Sequence, residues 1–461
     1  MAATGKNTKD LTQGNIAKQL LLFMLPILVG QIFQNLYNSV DAIVVGQFVG
    51  TTALAAVTSS ADIGQLLIGF FTGFSTGSGV LISRHFGAKD YEGLSDGVHT
   101  SVTLALIIGV VMAAAGIILA PFLLTVVDCP PDVYDEALAY LRVYLIGIFF
   151  TSIYNVGAAI LRAVGDSRRP FYYLVISSVW NIVLDVAFTV IFRMGVVGVA
   201  LATIMAQFVS VVLVFRRLMI SDEVYRLELK KLKLQPKILK EVFMLGLPAG
   251  IQSALIGTSN LFVQRYVNAF GSAAMAGIGA GKKIDKFVGM MAQCMGLALS
   301  TFVSQNVGAK QKERAFRGVS VSLFVCTVYW LIAGSIVYFF APFFIGFFVS
   351  DSEEALQHGV TLIRVMMPLY MFQISNNIYA NAVRGFGKSL TVMIISIAGM
   401  IGFRQIFLAL FTLWCPGEVW VVDAAFPVGW AFAAVGCIIY YYFRIRLPYR
   451  KQKASDNSLT A

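Results

Sequence analysis

The chain has 461 residues, 58% of them hydrophobic and only 13% charged, and its mean hydropathy is +0.77. That balance excludes a soluble globular protein; apolar runs of about 20 residues repeat along the whole length, as in a polytopic helical membrane protein. The net charge of +11 reads as Lys and Arg collected in cytoplasmic loops, not as a nucleic-acid surface.

Hydropathy predicts twelve spans, at 20–48, 55–83, 97–122, 136–162, 170–194, 196–216, 242–268, 274–304, 317–348, 359–384, 390–414 and 424–446. The first carries a polar stripe: Gln31, Gln34, Asn35, Asn38 and Asp41 recur at three- and four-residue spacing and share a helix face. Pro26 lies inside it, where a missing N–H and a ring clash are expected to kink the helix and make a hinge. A carboxylate deep in a span costs roughly 2.5–3.5 kcal/mol on insertion scales and marks an ion or substrate path. Span 2 holds GFSTGSG at 73–79, which in an apolar run reads as close helix packing and not as a phosphate cradle.

Span 5 holds the other deep acid, Asp185, preceded at four-residue steps by Asn181 and Ser177. Span 4 adds Tyr154 and Asn155, and span 6 adds Thr203 and Gln207. If these faces converge, two carboxylates meet among amide and hydroxyl oxygens. A desolvated carboxylate, or one close to another, can bind and release a proton near neutral pH. The same oxygens could coordinate a small cation such as sodium, at Asp41 and Asp185, and the residues leave both chemistries open.

Most of the 35 Lys and Arg fall in the two terminal segments, the Arg216–Glu241 connector and alternate loops. The opposite loops are short or acidic, with Asp128, Asp132, Asp135 and Glu136 in one and Asp351, Glu353 and Glu354 in another. Both termini are therefore expected in the cytoplasm. The chain also repeats itself at an offset of 221 to 222. Gly87-Ala88-Lys89 meets Gly308-Ala309-Lys310, Pro26 meets Pro248, Ala120-Pro121-Phe122 meets Ala341-Pro342-Phe343, and Arg142 meets Arg364. Two parallel six-helix repeats follow, a common transporter plan. The expected organisation is an N-lobe at 1–215, a connector at 216–241, a C-lobe at 242–447 and a tail at 448–461. At the positions equivalent to Asp41, the second repeat has Phe262 or Val263, so the acid belongs to the first half alone.

The remaining polar residues get plainer readings. Asp62, Asp285 and Asp423 are expected to be solvated near span ends, Arg404 to snorkel or pair locally, and Lys282 and Lys283 to be interfacial. His85, His99 and His358 are expected at the surface. The five cysteines show no CxxC spacing; Cys129 and Cys415 fall in outer loops where a disulfide is conceivable, and free thiols are expected. There is no GxxxxGK[ST] loop and no nucleophile–base constellation, so neither ATP drive nor enzymatic chemistry is expected.

The Pro-bent first helix with Gln34, Asn38 and Asp41, the SRHFGAKD and SQNVGAKQ loops, the LRAVGDSRRP and VRGFGKS loops and Arg404 together resemble the multidrug and toxic compound extrusion (MATE) family along essentially the whole chain. The resemblance implies an all-α membrane protein with two six-helix lobes in a V. It would be a monomeric antiporter without cofactor that exports organic cations and amphipathic drug-like compounds against inward proton or sodium flow. Asp41, Asn181, Asp185 and Thr203 match the coupling site of its DinF-type branch, with Gln34, Asn38, Tyr154, Asn155 and Gln207 lining the cavity. The NorM-type branch carries acids in spans 7 and 10; this chain has Gly257 in that part of span 7 and no acid in span 10, so a C-lobe sodium site is not expected. A lipid-linked precursor flippase of related fold is the alternative, but it would be expected to have a more cationic central cavity. A major-facilitator carrier would carry a basic, glycine-rich signature after span 2, which is missing.

Overall fold

The computed structural model describes residues 10–126, 129–131, 133–349, 352–415 and 417–460. The acids Asp128, Asp132 and Asp351 and the side chain of Asp62 lie outside that description. Among the described residues there is no strand, as expected where lipid offers no partner to a backbone N–H or C=O and a helix satisfies both within one segment.

The first half comprises α1 (Ile16–Val44), α2 (Thr51–Ala88), α3 (Tyr91–Val126), α4 (Tyr134–Ala163), α5 (Arg168–Val186) and α6 (Gly195–Ile220). The second comprises α7 (Pro236–Asn268), α8 (Gly271–Gly308), α9 (Lys312–Phe339), α10 (Ala341–Gly346), α11 (Glu353–Met366), α12 (Tyr370–Gly385), α13 (Ser389–Ile397), α14 (Arg404–Trp414), α15 (Trp420–Tyr440) and α16 (Leu447–Thr460). Among the described residues, ten helical rods are long and apolar enough to cross a membrane; α2 and the α11–α12 rod complete the predicted set. Proline decides two boundaries. Pro342 starts α10 in its first turn, and Pro368 sits in the 3-10 turn Met367–Leu369 that divides α11 from α12. Pro26, Pro121, Pro248 and Pro427 instead lie within continuous helices.

Packing divides the chain into two units, Met1–Leu11 with Leu22–Ala254, and Thr12–Leu21 with Leu255–Ala461. In the first unit α4 packs against α2, α3 and α6, and α5 packs on α6. The 73–79 glycines work as read: a Cβ on Gly77 would lie 2.3 Å from the Gly246 backbone, and one on Gly73 would lie 2.4 Å from Ala249. The α2 and α7 backbones touch there, which only small residues permit. The connector is folded onto α3. His99, expected at the surface, is 1% exposed: its Nδ1 donates to the Ser95 carbonyl at 2.7 Å, and its Nε2 accepts the Glu228 backbone N–H at 3.1 Å. A polar side chain inside the bundle serves here as an anchor for a chain 129 residues away.

In the second unit α8 packs against α9, α11 and α12, and α15 packs against α12. Gly277 meets the Ala355 carbonyl so closely that a Cβ would stand 2.0 Å from it. The Arg314 Nη2 donates to the Gln13 carbonyl and to Gln19 Oε1, both at 2.9 Å, tying Thr12–Leu21 to this unit. All five cysteines are thiols.

Gly77→Val is expected to destabilise the first unit by about 3 kcal/mol or more, because the added carbons collide with backbone that cannot step aside. Thermal unfolding followed by fluorescence-detected size exclusion reads this, with Gly79→Ala, where a Cβ has 3.6 Å of room, remaining near wild type.

Candidate functional site

Asp41 and Asp185 occupy matching places. Each sits in the last turns of a helix that then widens into a π turn, Val45–Val49 after α1 and Ala187–Ile191 after α5. The two π turns contact one another. Such turns recur at functional sites because they spoil the regular i→i−4 ladder and re-aim side chains. The Thr189 hydroxyl donates to the Asp185 carbonyl at 2.5 Å, satisfying backbone that the wider turn frees.

The outcome is that the two carboxyls come within hydrogen-bonding reach of each other. Asp185 is 0% exposed and Asn181, one turn earlier, 2%. Asp41 Oδ1, both Asp185 oxygens and both Asn181 amide atoms are buried without a protein partner. Ionised carboxylates only accept hydrogen bonds, so such a pair is satisfied when it shares a proton or faces a cation. Among the described residues no group of three His, Cys, Asp or Glu could hold a metal ion, so any cation here would rely on two carboxylates plus amide and hydroxyl oxygens.

The other expected residues divide. Gln34 accepts from Gln31 Nε2 at 3.3 Å and hydrogen-bonds Tyr37. Asn38 is exposed and Asn155 half-buried. Thr203 gives its proton to the Val199 carbonyl at 3.1 Å, which leaves its oxygen only an acceptor role. Gln207 accepts from Thr151 at 2.6 Å and Tyr154 donates to the Pro170 carbonyl at 3.0 Å; these two bonds tie α4 to α6 and α5. Pro26 leaves α1 in one piece.

Sequence reasoning missed three tyrosines. Tyr37, Tyr140 and Tyr144 all lie close enough to Asp41 to interact electrostatically with it, and Tyr140 also with Asp185. Tyr140 and Tyr144 stack at 5.7 Å, and Gly64 of α2 lets the Tyr144 ring approach. The signal was present: Tyr37 is four residues before Asp41, on the polar stripe, and Tyr140 and Tyr144 are four apart on α4.

The second unit also buries charge, against expectation. Arg404 does not snorkel: it is 1% exposed, donates to Asn260 Oδ1 at 2.9 Å and to Ser259 Oγ at 2.5 Å, and lies 5.7 Å from the Phe426 ring. Asp423 is not solvated but 0% exposed, with both oxygens unpartnered by hydrogen bonds. Lys282 donates to Gln264 at 3.0 Å and shares the Phe426 ring at 5.4 Å. The polar groups of α7 thus hold cations from other helices. Val263, at an Asp41-equivalent position, is buried and apolar.

A profile of the MatE family matches residues 26–187 and again 248–410, the two repeats in turn. The chain is similar to the probable multidrug resistance protein YpnP of Bacillus subtilis, 28% identical over 439 residues, covering 94% of this chain and 96% of the relative. It is similar also to the multidrug export protein MepA of Staphylococcus aureus, 23% identical and covering 94% and 95%. A solved outward-facing multidrug resistance MATE transporter of the MOP superfamily shares its fold with a TM-score of 0.89 at 24% identity, over 97% of this chain and 100% of that one.

Asp185→Asn supplies an N–H donor to Asp41, and is expected to raise thermal stability at alkaline pH by about 1.5–3 kcal/mol. The gain shrinks on acidification, where the native pair can share a proton. Melting curves of purified protein across pH check this; a loss of stability at alkaline pH contradicts it.

Proposed function

Because the chain belongs to the MatE family, as the matches to both halves establish, we propose that this multi-pass membrane protein is a secondary exporter of small amphipathic or cationic compounds, driven by inward proton or sodium flow. The observation that carries the reading is the Asp41–Asp185 contact: two carboxyls within hydrogen-bonding reach of each other, one fully buried, in a helical bundle. Such a pair has one use that packing does not explain, which is to take up and release a proton or small cation. The names of the similar multidrug resistance and export proteins support the substrate class.

In this reading Asp41 and Asp185 bind the ion, with Asn181 and the Thr203 oxygen as neutral donors around them. Tyr140 and Tyr144 form the wall behind. Uptake of a proton or sodium ion removes the repulsion between the carboxylates and lets α1 repack around them, with Pro26 as the place where its ladder gives most readily. Export follows if ion and drug favour different members of an alternating-access pair, since a ligand shifts an equilibrium only by its differential affinity. The distribution of loop charges supports a cytoplasmic position for both termini.

The test is drug transport in proteoliposomes under separately imposed proton and sodium gradients. Wild-type protein is expected to move drug against one gradient or both. Asp41→Asn is expected to fall to the level of protein-free liposomes while remaining folded in the membrane, and wild-type transport by that variant would sink the assignment of the site.

A further inference from the structure

The turn between α8 and α9 and the first turns of α9 border an open hollow of about 370 Å³ in the second unit, with Ile16 and Tyr449 on its other side. Four cations line it, Lys310, Lys312, Arg314 and Arg317, against one acid, Glu313, and one ring, Tyr449. The acid is already engaged, since Glu313 accepts from Lys453 of α16 at 3.2 Å. Among the described residues no carboxylate pairs with Lys310, Lys312 or Arg317, and Lys312 lies instead 5.5 Å from the Tyr449 ring. Arg314 donates to the Gln13 carbonyl and to Gln19 and serves as a structural tie.

The first repeat shows that the fold does not require this charge. There Lys89 and Lys310 take the same left-handed turn, at φ 56° and 58°. Past that turn the chemistry parts. Asp90, Tyr91, Gly93 and Asp96 stand where the second repeat has Gln311, Lys312, Arg314 and Arg317. In the first repeat the acids are neutralised locally: the Gly93 N–H and His85 hold the Asp90 carboxyl below the usual carboxylate range, and Asp96 meets Lys233 at 3.7 Å. Membrane orientation needs Lys and Arg near the loop, scattered and solvated. It does not need them around a common hollow.

We propose that this hollow binds the phosphate headgroup of an anionic phospholipid, with Arg317 gripping the phosphate oxygens and Lys310 and Lys312 supplying charge. A volume in the small-ligand range accommodates a phosphodiester with its glycerol. The argument for a lipid over a soluble anion is the lane that leads from the site. Arg317, Phe324, Val328 and Leu331 fall on one face of α9, and the last three are 70%, 40% and 54% exposed. An acyl chain runs along that strip while its headgroup sits at the cationic end, with Tyr449 at the boundary as interfacial aromatics are. A bound phosphate would sit where α9, Ile16 of the Thr12–Leu21 segment and Tyr449 of the C-terminal helix meet.

The test is native mass spectrometry and lipid titration of the full chain in detergent, with phosphatidylglycerol, phosphatidylcholine and inorganic phosphate as probes. Phosphatidylglycerol is expected to bind in preference to phosphatidylcholine and to resist displacement by inorganic phosphate. Lys310→Gln/Arg317→Gln is expected to weaken its binding about thirtyfold, from the usual contribution of two basic residues. Arg226→Gln/Lys388→Gln, which removes the same charge from exposed positions outside the cavity, is expected to leave it unchanged. Lys312→Gln alone is expected to cost about fivefold and keeps the test decisive where the double variant fails to fold. Equal losses in both double variants would overturn the proposal in favour of diffuse attraction. Absence of headgroup preference, or ready displacement by inorganic phosphate, would overturn it as well.

Discussion

Two carboxyl groups pressed together inside a helical bundle, with no basic side chain paired to either among the described residues, form an arrangement that proteins seldom keep. Desolvation penalises each charge, and proximity penalises the second more. The first unit accepts that cost and builds around it. Two helices widen into π turns as they pass the acids, the turns pack on each other, and three tyrosines and an asparagine close the surroundings. Thr151–Gln207 and Tyr154–Pro170 hold α4 to its neighbours and frame the bundle around the pair.

The two repeats share a scaffold and divide its chemistry. Landmarks set by backbone geometry persist in both: the interior prolines Pro26 and Pro248, and the left-handed turns at Lys89 and Lys310. Those landmarks belong to the backbone path that both repeats follow. Side chains facing a cavity are not bound by that path. The first unit therefore holds an acid pair, whereas the second surrounds Phe426 with Arg404 and Lys282 and leaves Asp423 buried nearby in the same electrostatic neighbourhood. The loops after α2 and α8 diverge in the same manner, from internally paired acids to a cationic hollow.

Particular residues show what reading a chain linearly captures. Asp41 and Asp185 stood out because an ionisable group in an apolar run is costly wherever it points. Glycines 73 to 79 could be read as contact surface because nothing else suits small residues in a span. Asp423 and His99 read as surface groups and are buried, because proximity to a span end says nothing about what covers that end; Arg404, expected to snorkel or pair locally, is buried and paired with Asn260 and Ser259. Tyr37, Tyr140 and Tyr144 escaped notice since aromatic residues are ordinary in such helices, and only their convergence makes them unusual.

Helix type, span positions, the internal repeat and the two deep acids were determined by sequence alone, since each depends on hydrogen bonds or burial costs that arise within one segment. Tertiary structure decided which polar groups meet. Arg404 finds Asn260 across 144 residues and His99 finds Glu228 across 129, and no local pattern encodes those distances. A helix satisfies its own backbone, but a buried side chain must be satisfied by another helix, and the choice of that helix is made only when the bundle packs.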